Sequence, residues 1–277
     1  MIFALLYDRK TIAVFAIIGG YLTPLFLDAD FINYFVFFTY LLFLNIAMLV
    51  IAYQKKWNFV NIMTFAISLL MFGIWLLRVN LDVVRNYEIA LVFATLYYLA
   101  FFMMNVVYSF RTDTQLTLVN YILLLINTIF YVFCMLFILF AIDAEGMHFG
   151  FFTLGLTVFN YVYAYLLYKN ENVDIHLLNT LITMTVIFGT VTAPLMLDYD
   201  YLNVLWATGS LLLLWVGVRA EMNLLKGYSL LLLFMAIIMM FVQWLFTYSD
   251  PLVDFFFNKA TLTSIATATV LILSYII

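Results

Sequence analysis

Long apolar runs alternate with short charged segments along the whole chain. A helix of roughly 20 apolar residues crosses a hydrocarbon core about 30 Å thick, so the pattern predicts ten membrane-spanning helices. The predicted spans are 11–27, 31–53, 58–77, 89–110, 116–142, 149–168, 177–196, 202–218, 229–246 and 261–277. These runs are apolar on all sides and lack the alternation of barrel strands. The predicted fold class is therefore an all-α, polytopic integral membrane protein.

The composition excludes most other classes of protein. Of the 277 residues, 68% are hydrophobic and only 9% are charged, whereas roughly a quarter of a soluble domain is charged. Soluble enzymes, nucleic-acid-binding proteins and disulfide-rich secreted folds are thereby excluded. The lipid bilayer is the first expected partner, and other membrane proteins or further copies of the chain are the next.

The charges in the loops predict the orientation. Short cytoplasmic loops of membrane proteins carry an excess of Lys and Arg. The N-terminal segment and every second loop hold eight of the eleven basic residues, and the opposite loops hold ten of the fifteen acids. We therefore expect a multi-pass protein of the cell membrane with both termini in the cytoplasm. Arg9 and Lys10 follow the apolar stretch 1–7 instead of preceding it, so the amino end does not read as a secretory signal.

Two segments of the chain, Gly19–Asn33 and Gly189–Asn203, are alike at a constant offset of 170 residues. Seven of their fifteen positions are identical, and the identities include Gly, Pro, two Asp and Asn. We interpret one transmembrane domain, 1–277, as containing a first repeat (11–110), an inserted helix pair (116–168) and a second repeat (177–277). Six spans separate equivalent positions, so the repeats run parallel about an axis along the membrane normal. The alternative is that the two segments became similar independently, because the ends of membrane helices use few residue types.

The repeated element is the candidate site. Proline removes a backbone donor and clashes with the preceding turn, so each helix is expected to kink or stop near Pro24 and Pro194. Such breaks at matching positions of two halves are a pointer to a transporter binding site. An Asp-x-Asp follows each proline at the outer face, where four carboxylates would attract cations or bind a hard divalent metal. The candidate substrate-binding residues are Gly19, Gly20, Pro24, Asp28, Asp30, Gly189, Pro194, Asp198 and Asp200.

A structural role for the same acids is the alternative. Asp30 and Asp200 directly precede predicted helices, where an Asp side chain accepts hydrogen bonds from free N–H groups and favours the helix dipole. An outer face rich in acids also follows from the orientation alone. Both interpretations stay open at this point, and so does the question of a metal.

Little other chemistry is available inside the membrane. No Asp, Glu, Lys or Arg lies within a predicted span, which disfavours a proton relay. The polar side chains at depth are amides, whose default role is hydrogen bonding between helices. These amides are Asn45, Asn105, Asn120, Asn127, Asn160 and Gln243. The only cysteine is Cys134, and His148 and His176 lie on opposite sides of the membrane, so we predict no cofactor and no catalytic residue.

A Gly-Gly-x-x-x-Pro element over Gly19–Leu27 is followed by Asn45 and by the basic-aromatic loop Lys55–Trp57. A second element runs from Ala193–Leu195 to Trp215–Gly217. In these elements the chain resembles a bacterial family of predicted membrane proteins, catalogued as domain of unknown function 2339. Members of that family usually have many more spans, so the chain corresponds to a short member or to part of a longer one. The resemblance implies the bacterial cytoplasmic membrane and no known substrate or reaction.

Three functions follow from these patterns. The leading one is transport or the handling of a lipid or another amphiphile, at a site between the two repeats near the outer face. The second is a structural or assembly subunit of a cell-envelope complex. The third is a membrane-embedded transferase that uses the outer Asp residues, which the short first outer loop disfavours. The patterns therefore lean away from an enzyme.

Overall fold

A computed structural model describes residues 10–23, 33–55, 58–79, 84–111, 118–142, 146–169, 174–197, 199–248 and 258–276. Ten α-helices lie within these ranges and account for nearly all of them. The helices are α1 (Lys10–Leu22), α2 (Tyr34–Lys55), α3 (Asn58–Leu76), α4 (Val84–Arg111), α5 (Leu118–Ala141), α6 (Gly146–Tyr168), α7 (Ile175–Met196), α8 (Leu202–Arg219), α9 (Asn223–Thr247) and α10 (Lys259–Ile276). Each coincides with one predicted span, so the all-α polytopic fold is confirmed.

Eight of these helices, α3 to α10, are long and apolar enough to cross a membrane. The stretches Thr11–Leu22 of α1 and Tyr34–Val50 of α2 are apolar but shorter. A helix is the expected form for every such run, because it satisfies its backbone hydrogen bonds internally where no water can. A membrane location of the chain follows from these helices.

The chain divides into two compact units. Unit 1 comprises 1–144 with 172–174, and unit 2 comprises 145–171 with 175–277. Unit 1 thus holds α1 to α5, and unit 2 holds α6 to α10. Each unit consists of one predicted repeat and one helix of the predicted insertion, whereas the repeat itself stays a prediction.

The interior of unit 1 is built around Phe38 of α2, which is completely buried. Its ring meets the rings of Phe72 and Trp75 on α3 at centroid distances of 5.4 and 4.7 Å. On α4 it meets Phe93 at 5.5 Å and Tyr97 at 6.3 Å. Tilted and edge-on ring pairs of this kind are favourable beyond the area that they bury. The aromatic cluster therefore joins three helices of the unit.

In unit 2, α8 and α9 form a tight hairpin. A Cβ atom on Gly217 would lie 3.0 Å from Cβ of Leu225 and 3.1 Å from the backbone nitrogen of Lys226. The turn is closed by hydrogen bonds from Met222 N to Gly217 O (2.9 Å) and from Glu221 N to Val218 O (3.3 Å). This is a Schellman motif, and Glu221 occupies its left-handed position with φ of 56°.

Polar and apolar side chains are distributed as expected for a protein surrounded by lipid. Large apolar side chains face outward on many helices, with 75% of Phe15 and 73% of Leu245 exposed. Fully buried positions include the polar residues Asn45, Asn160 and Ser210. Lipid tails satisfy no hydrogen bond, so polar side chains gain by pointing into the protein.

Candidate functional site

The structure describes only some of the predicted site residues. Five of the nine lie among the described residues, and they are Gly19, Gly20, Gly189, Pro194 and Asp200. The other four lie outside the described residues, and they are Pro24, Asp28, Asp30 and Asp198. The convergence of four carboxylates on one mouth therefore stays a prediction.

The adjacent glycines of α1 have different surroundings. A Cβ atom on Gly20 would lie 2.7 Å from Cδ1 of Leu44 on α2, whereas one on Gly19 would meet nothing within 4 Å. The backbone oxygen of Gly20 also accepts a hydrogen bond from Tyr40 Oη at 3.0 Å. Gly20 thus allows the close approach of α1 and α2, and Gly19 faces open space.

Pro194 lies inside the last turn of its helix. The α7 helix continues through Pro194 to Met196, and Leu197 N still donates to Ala193 O at 3.0 Å. The helix therefore ends within one turn of its proline. In the first repeat, α1 ends at Leu22, before Pro24 is reached.

Asp200 forms an ion pair. Its Oδ2 lies 3.2 Å from Nζ of Lys259, and the exposed fractions of the two side chains are 17% and 65%. The residue before α8 is Tyr201, whose side chain makes no capping hydrogen bond. The side chain of Asp200 therefore pairs with a cation of α10, and the capping role at the start of α8 stays a prediction.

A buried amide network lies directly beneath this ion pair. The Gln243 side chain, only 1% exposed, accepts hydrogen bonds at Oε1 from Asn203 Nδ2 (3.1 Å) and Thr263 Oγ1 (3.0 Å). Its Nε2 donates to the backbone oxygen of Asp200 at 3.1 Å. Gln243 thus ties together α8, α9, α10 and the turn before α8. The sequence singled out Gln243 as an isolated amide, but nothing in it paired that amide with Thr263.

An apolar cleft opens beside the network, between α9 and α10. It holds about 590 Å³ and is lined by Met240, Trp244, Tyr248, Thr261, Ser264, Ile265 and Ala268. We call it the α9–α10 cleft. It lies at the end of unit 2 where α9 finishes and α10 begins, the end that the loop charges predict to face outward.

The rim of the α9–α10 cleft is polar. Tyr248 Oη lies 3.0 Å from Thr261 Oγ1 and accepts a hydrogen bond from Asn258 Nδ2 at 3.3 Å. These bonds lower the pKa of the Tyr248 phenol below its usual value. Within the cleft, Trp244 Nε1 donates to Ser264 Oγ at 2.7 Å. An apolar wall below a hydroxyl and amide rim matches the two parts of an amphiphile.

Unit 1 has a polar cluster of its own. Tyr21 Oη donates to Asn45 Oδ1, and Ser68 Oγ donates to the same oxygen at 2.6 Å. The cluster joins α1, α2 and α3 and is fully enclosed, with Asn45 and Tyr21 both buried. Interhelical hydrogen bonds of this kind are the role that the sequence predicted for Asn45.

Metal chemistry finds no support among the residues that the structure describes. No three His, Cys, Asp or Glu side chains lie close enough there to hold a metal ion. Cys134 is a buried free thiol of α5. The acidic mouth depends on Asp28, Asp30 and Asp198, which the structure does not describe.

A family model described as predicted membrane protein (DUF2339) matches residues 1–276 of the chain. This match confirms the resemblance inferred from Gly19–Leu27 and the elements that follow it. The search of curated proteins and the search of solved structures returned no match.

Proposed function

The chain belongs to this family of predicted membrane proteins, and we propose that it transports or otherwise handles an amphiphile at the outer face of the membrane. The observation that carries the proposal is the α9–α10 cleft, with its apolar wall and polar rim. Asp200 belongs to the site predicted between the two repeats. Its side chain pairs with Lys259 and its backbone oxygen accepts a hydrogen bond from Gln243, so Asp200 lies at the same end of unit 2 as this cleft. The contribution of the first repeat stays a prediction.

The cleft fits a molecule with a chain and a polar head. Met240, Ile265 and Ala268 offer apolar surface to an acyl chain. Tyr248 and Thr261 offer hydroxyl groups to a head at the membrane–water interface. Lys259, which pairs with Asp200 and is 65% exposed, precedes Thr261 by two positions. Burial of apolar surface would drive binding, and the rim would orient the head.

The packing within each unit supports the internal repeat. In unit 1, α1 packs on α2 and α3, and α2 packs on α3 and α4. The equivalent helices of unit 2 pack in these four pairs, since α7 packs on α8 and α9, and α8 packs on α9 and α10, and α9 packs on α10 in addition. The segments Met71–Leu76 and Met240–Leu245 also share Met-Phe-x-x-Trp-Leu. We propose that 11–110 and 177–277 are parallel repeats flanking the helix pair 116–168.

The membrane and the orientation are part of the proposal. The asymmetry of Lys and Arg in the loops supports cytoplasmic termini, and the family resemblance supports the bacterial cytoplasmic membrane. In this orientation the α9–α10 cleft opens toward the outer leaflet.

Translocation of a fluorescent phospholipid in proteoliposomes tests the proposal. We expect vesicles containing the full chain to exchange the lipid between leaflets faster than empty vesicles do. Ala268→Trp places an indole in the α9–α10 cleft and should lower the rate to that of empty vesicles. Thr269→Trp adds the same group next to the cleft, at a residue outside its lining, and should keep the wild-type rate.

Two results would contradict the proposal. One is equal exchange in vesicles with and without the wild-type chain. The other is an equal effect of Ala268→Trp and Thr269→Trp. Either result would favour the assembly subunit as the remaining function. The transferase has the least support, because the first outer loop predicted from the sequence is short.

A further inference from the structure

A second cleft lies at the opposite end of unit 2. It holds about 630 Å³ between the last turns of α6 and α8, the first half of α7 and the start of α9. We call it the α6–α8 cleft. Its lining includes Tyr161, Tyr165, Thr185, Trp215 and Arg219. No residue of the α9–α10 cleft contributes to it, so the two clefts are separate sites.

The wall of the α6–α8 cleft is apolar and aromatic. Tyr161 and Tyr165 stack along α6 with centroids 6.4 Å apart. Both rings and the indole of Trp215 are about half exposed. Rings aligned along a cleft at the end of a helix offer a surface for an acyl chain, and their polar edges lie near the interface.

Basic residues surround this end of unit 2. The Arg219 guanidinium lies over the Trp215 ring, with Cζ 5.3 Å from the centroid. The Lys169 ammonium lies over the Tyr165 ring at 4.7 Å. Lys226 is the third basic residue of this end, and Glu171, Asp174 and Glu221 are its acids along the sequence. The lining of the cleft itself contains one charged side chain, Arg219.

Arg219 is available to a ligand. Arg219 forms no ion pair with a carboxylate of the described residues. Its contact with Trp215 holds the guanidinium at the rim, and the guanidinium keeps its donors. A guanidinium matches the geometry of a phosphate, to which it can donate two parallel hydrogen bonds.

We infer that the α6–α8 cleft is a binding site for an anionic phospholipid. Its phosphate binds Arg219, its acyl chain lies along Tyr161 and Tyr165, and Lys169 adds attraction for the net negative charge of the head. The predicted orientation places this end at the cytoplasmic leaflet, where anionic lipids attract basic residues. The site does not depend on the proposed function, which rests on the other cleft.

Fluorescence quenching by brominated lipids tests the inference on the full chain in phosphatidylcholine nanodiscs. Trp215 is one of five tryptophans and lines this cleft. Its signal is the difference between the wild type and Trp215→Phe. We expect brominated phosphatidylglycerol to quench Trp215 with about fivefold higher apparent affinity than brominated phosphatidylcholine, the factor that one basic residue contributes near an anionic lipid.

Two charge variants distinguish the cleft from a general surface effect. Arg219→Gln should abolish the preference for phosphatidylglycerol. Lys226→Gln removes one positive charge from the same end, at a residue that does not line the cleft, and should keep most of the preference. Equal losses in both variants would show attraction to surface charge alone and would overturn the inference.

Two further measurements do not depend on the folding of Arg219→Gln. Thr185→Phe fills the cleft and loses no bond between helices, because Thr185 Oγ1 donates to Leu181 O of its own helix at 2.8 Å. It should reduce quenching of Trp215 by both lipids. In the wild type, unlabelled phosphatidylglycerol should displace the brominated form more effectively than unlabelled phosphatidylcholine. Equal displacement by the two lipids would also overturn the inference.

Discussion

The amide nitrogen of Asn203 on α8 donates to the amide oxygen of Gln243 on α9, with 3.1 Å between Nδ2 and Oε1. The same oxygen accepts from Thr263 of α10 at 3.0 Å. One buried side chain thus joins three consecutive helices. Because lipid offers no substitute partner, these bonds fix the arrangement of the helices at this end of unit 2.

Gln243→Leu is predicted to destabilise the protein by about 1–3 kcal/mol, because the buried amide of Asn203 loses its partner. Thermal or denaturant unfolding of the purified protein in detergent measures the effect. Leu230→Ala, at a side chain that is 66% exposed, is the control and should change stability far less. Equal stability of the two variants would show that the network contributes nothing.

Gly20→Ala and Gly19→Ala form a matched pair. The new methyl group at Gly20 would meet Cδ1 of Leu44 at 2.7 Å, whereas the one at Gly19 would meet open space. We expect Gly20→Ala to cost about 1 kcal/mol, since Leu44 must leave its rotamer. Gly19→Ala should be neutral or slightly stabilising, because alanine favours the helix. Unfolding of both variants under the same conditions measures the difference in stability. A Gly19→Ala variant less stable than Gly20→Ala would contradict the packing of α1 on α2.

Glu221→Gly is predicted to stabilise the turn between α8 and α9. A left-handed backbone costs an ordinary residue about 1–2 kcal/mol, and glycine avoids this cost. Glu221→Ala removes the same carboxylate but keeps the unfavourable conformation, so it serves as the control. The difference in thermal stability between the two variants should favour glycine. A glycine variant less stable than the alanine variant would contradict the cost of the left-handed conformation, whereas a loss of stability in both relative to the wild type would mean that the carboxylate of Glu221 stabilises the turn.

Asp200→Asn and Lys259→Gln separate a structural role of the ion pair from a functional one. An exposed pair contributes about 0–1 kcal/mol, so neither variant should unfold the protein. If this end handles an amphiphile, Lys259→Gln should slow lipid exchange in proteoliposomes while thermal stability stays near that of the wild type. Unchanged exchange in both variants would remove the ion pair from the proposed site.

The predicted orientation is tested by cysteine labelling on either side of α6. Asp143→Cys and Glu171→Cys should differ in their reaction with a membrane-impermeant thiol reagent on intact cells, with Asp143→Cys labelled from outside. The native Cys134 is buried and gives little background. Equal labelling at the two positions would overturn the arrangement of ten spans.

The number and order of the helices were predictable because charges are costly inside a bilayer and therefore mark where each span ends. The residues at which the helices begin and end were less predictable. The α9 helix begins at Asn223 and α4 at Val84, each before its predicted span. Lys226 thus lies in a helix, since a long basic side chain can extend from a helix end to the interface. Charges mark the edge of the membrane and not the end of the helix.

The candidate site was predictable only as separate residues. The prolines, glycines and acids stood out, and so did Gln243, because each is rare within apolar runs. Their partners did not stand out. Lys259 lies 59 positions from Asp200, and Thr263 lies 20 positions from Gln243. Pairings of this kind depend on how helices rotate against one another, which a nearly uniform apolar sequence does not specify.

The hairpin of α8 and α9 has a consequence for biosynthesis. Three residues connect the two helices. Ser210 Oγ of α8 donates a hydrogen bond to the backbone oxygen of Ser229 on α9 at 2.8 Å. Entering the bilayer alone, α8 would expose this hydroxyl and Asn203 to lipid. We therefore expect the translocation machinery to retain α8 until α9 has left the ribosome, and to release the two helices into the membrane together.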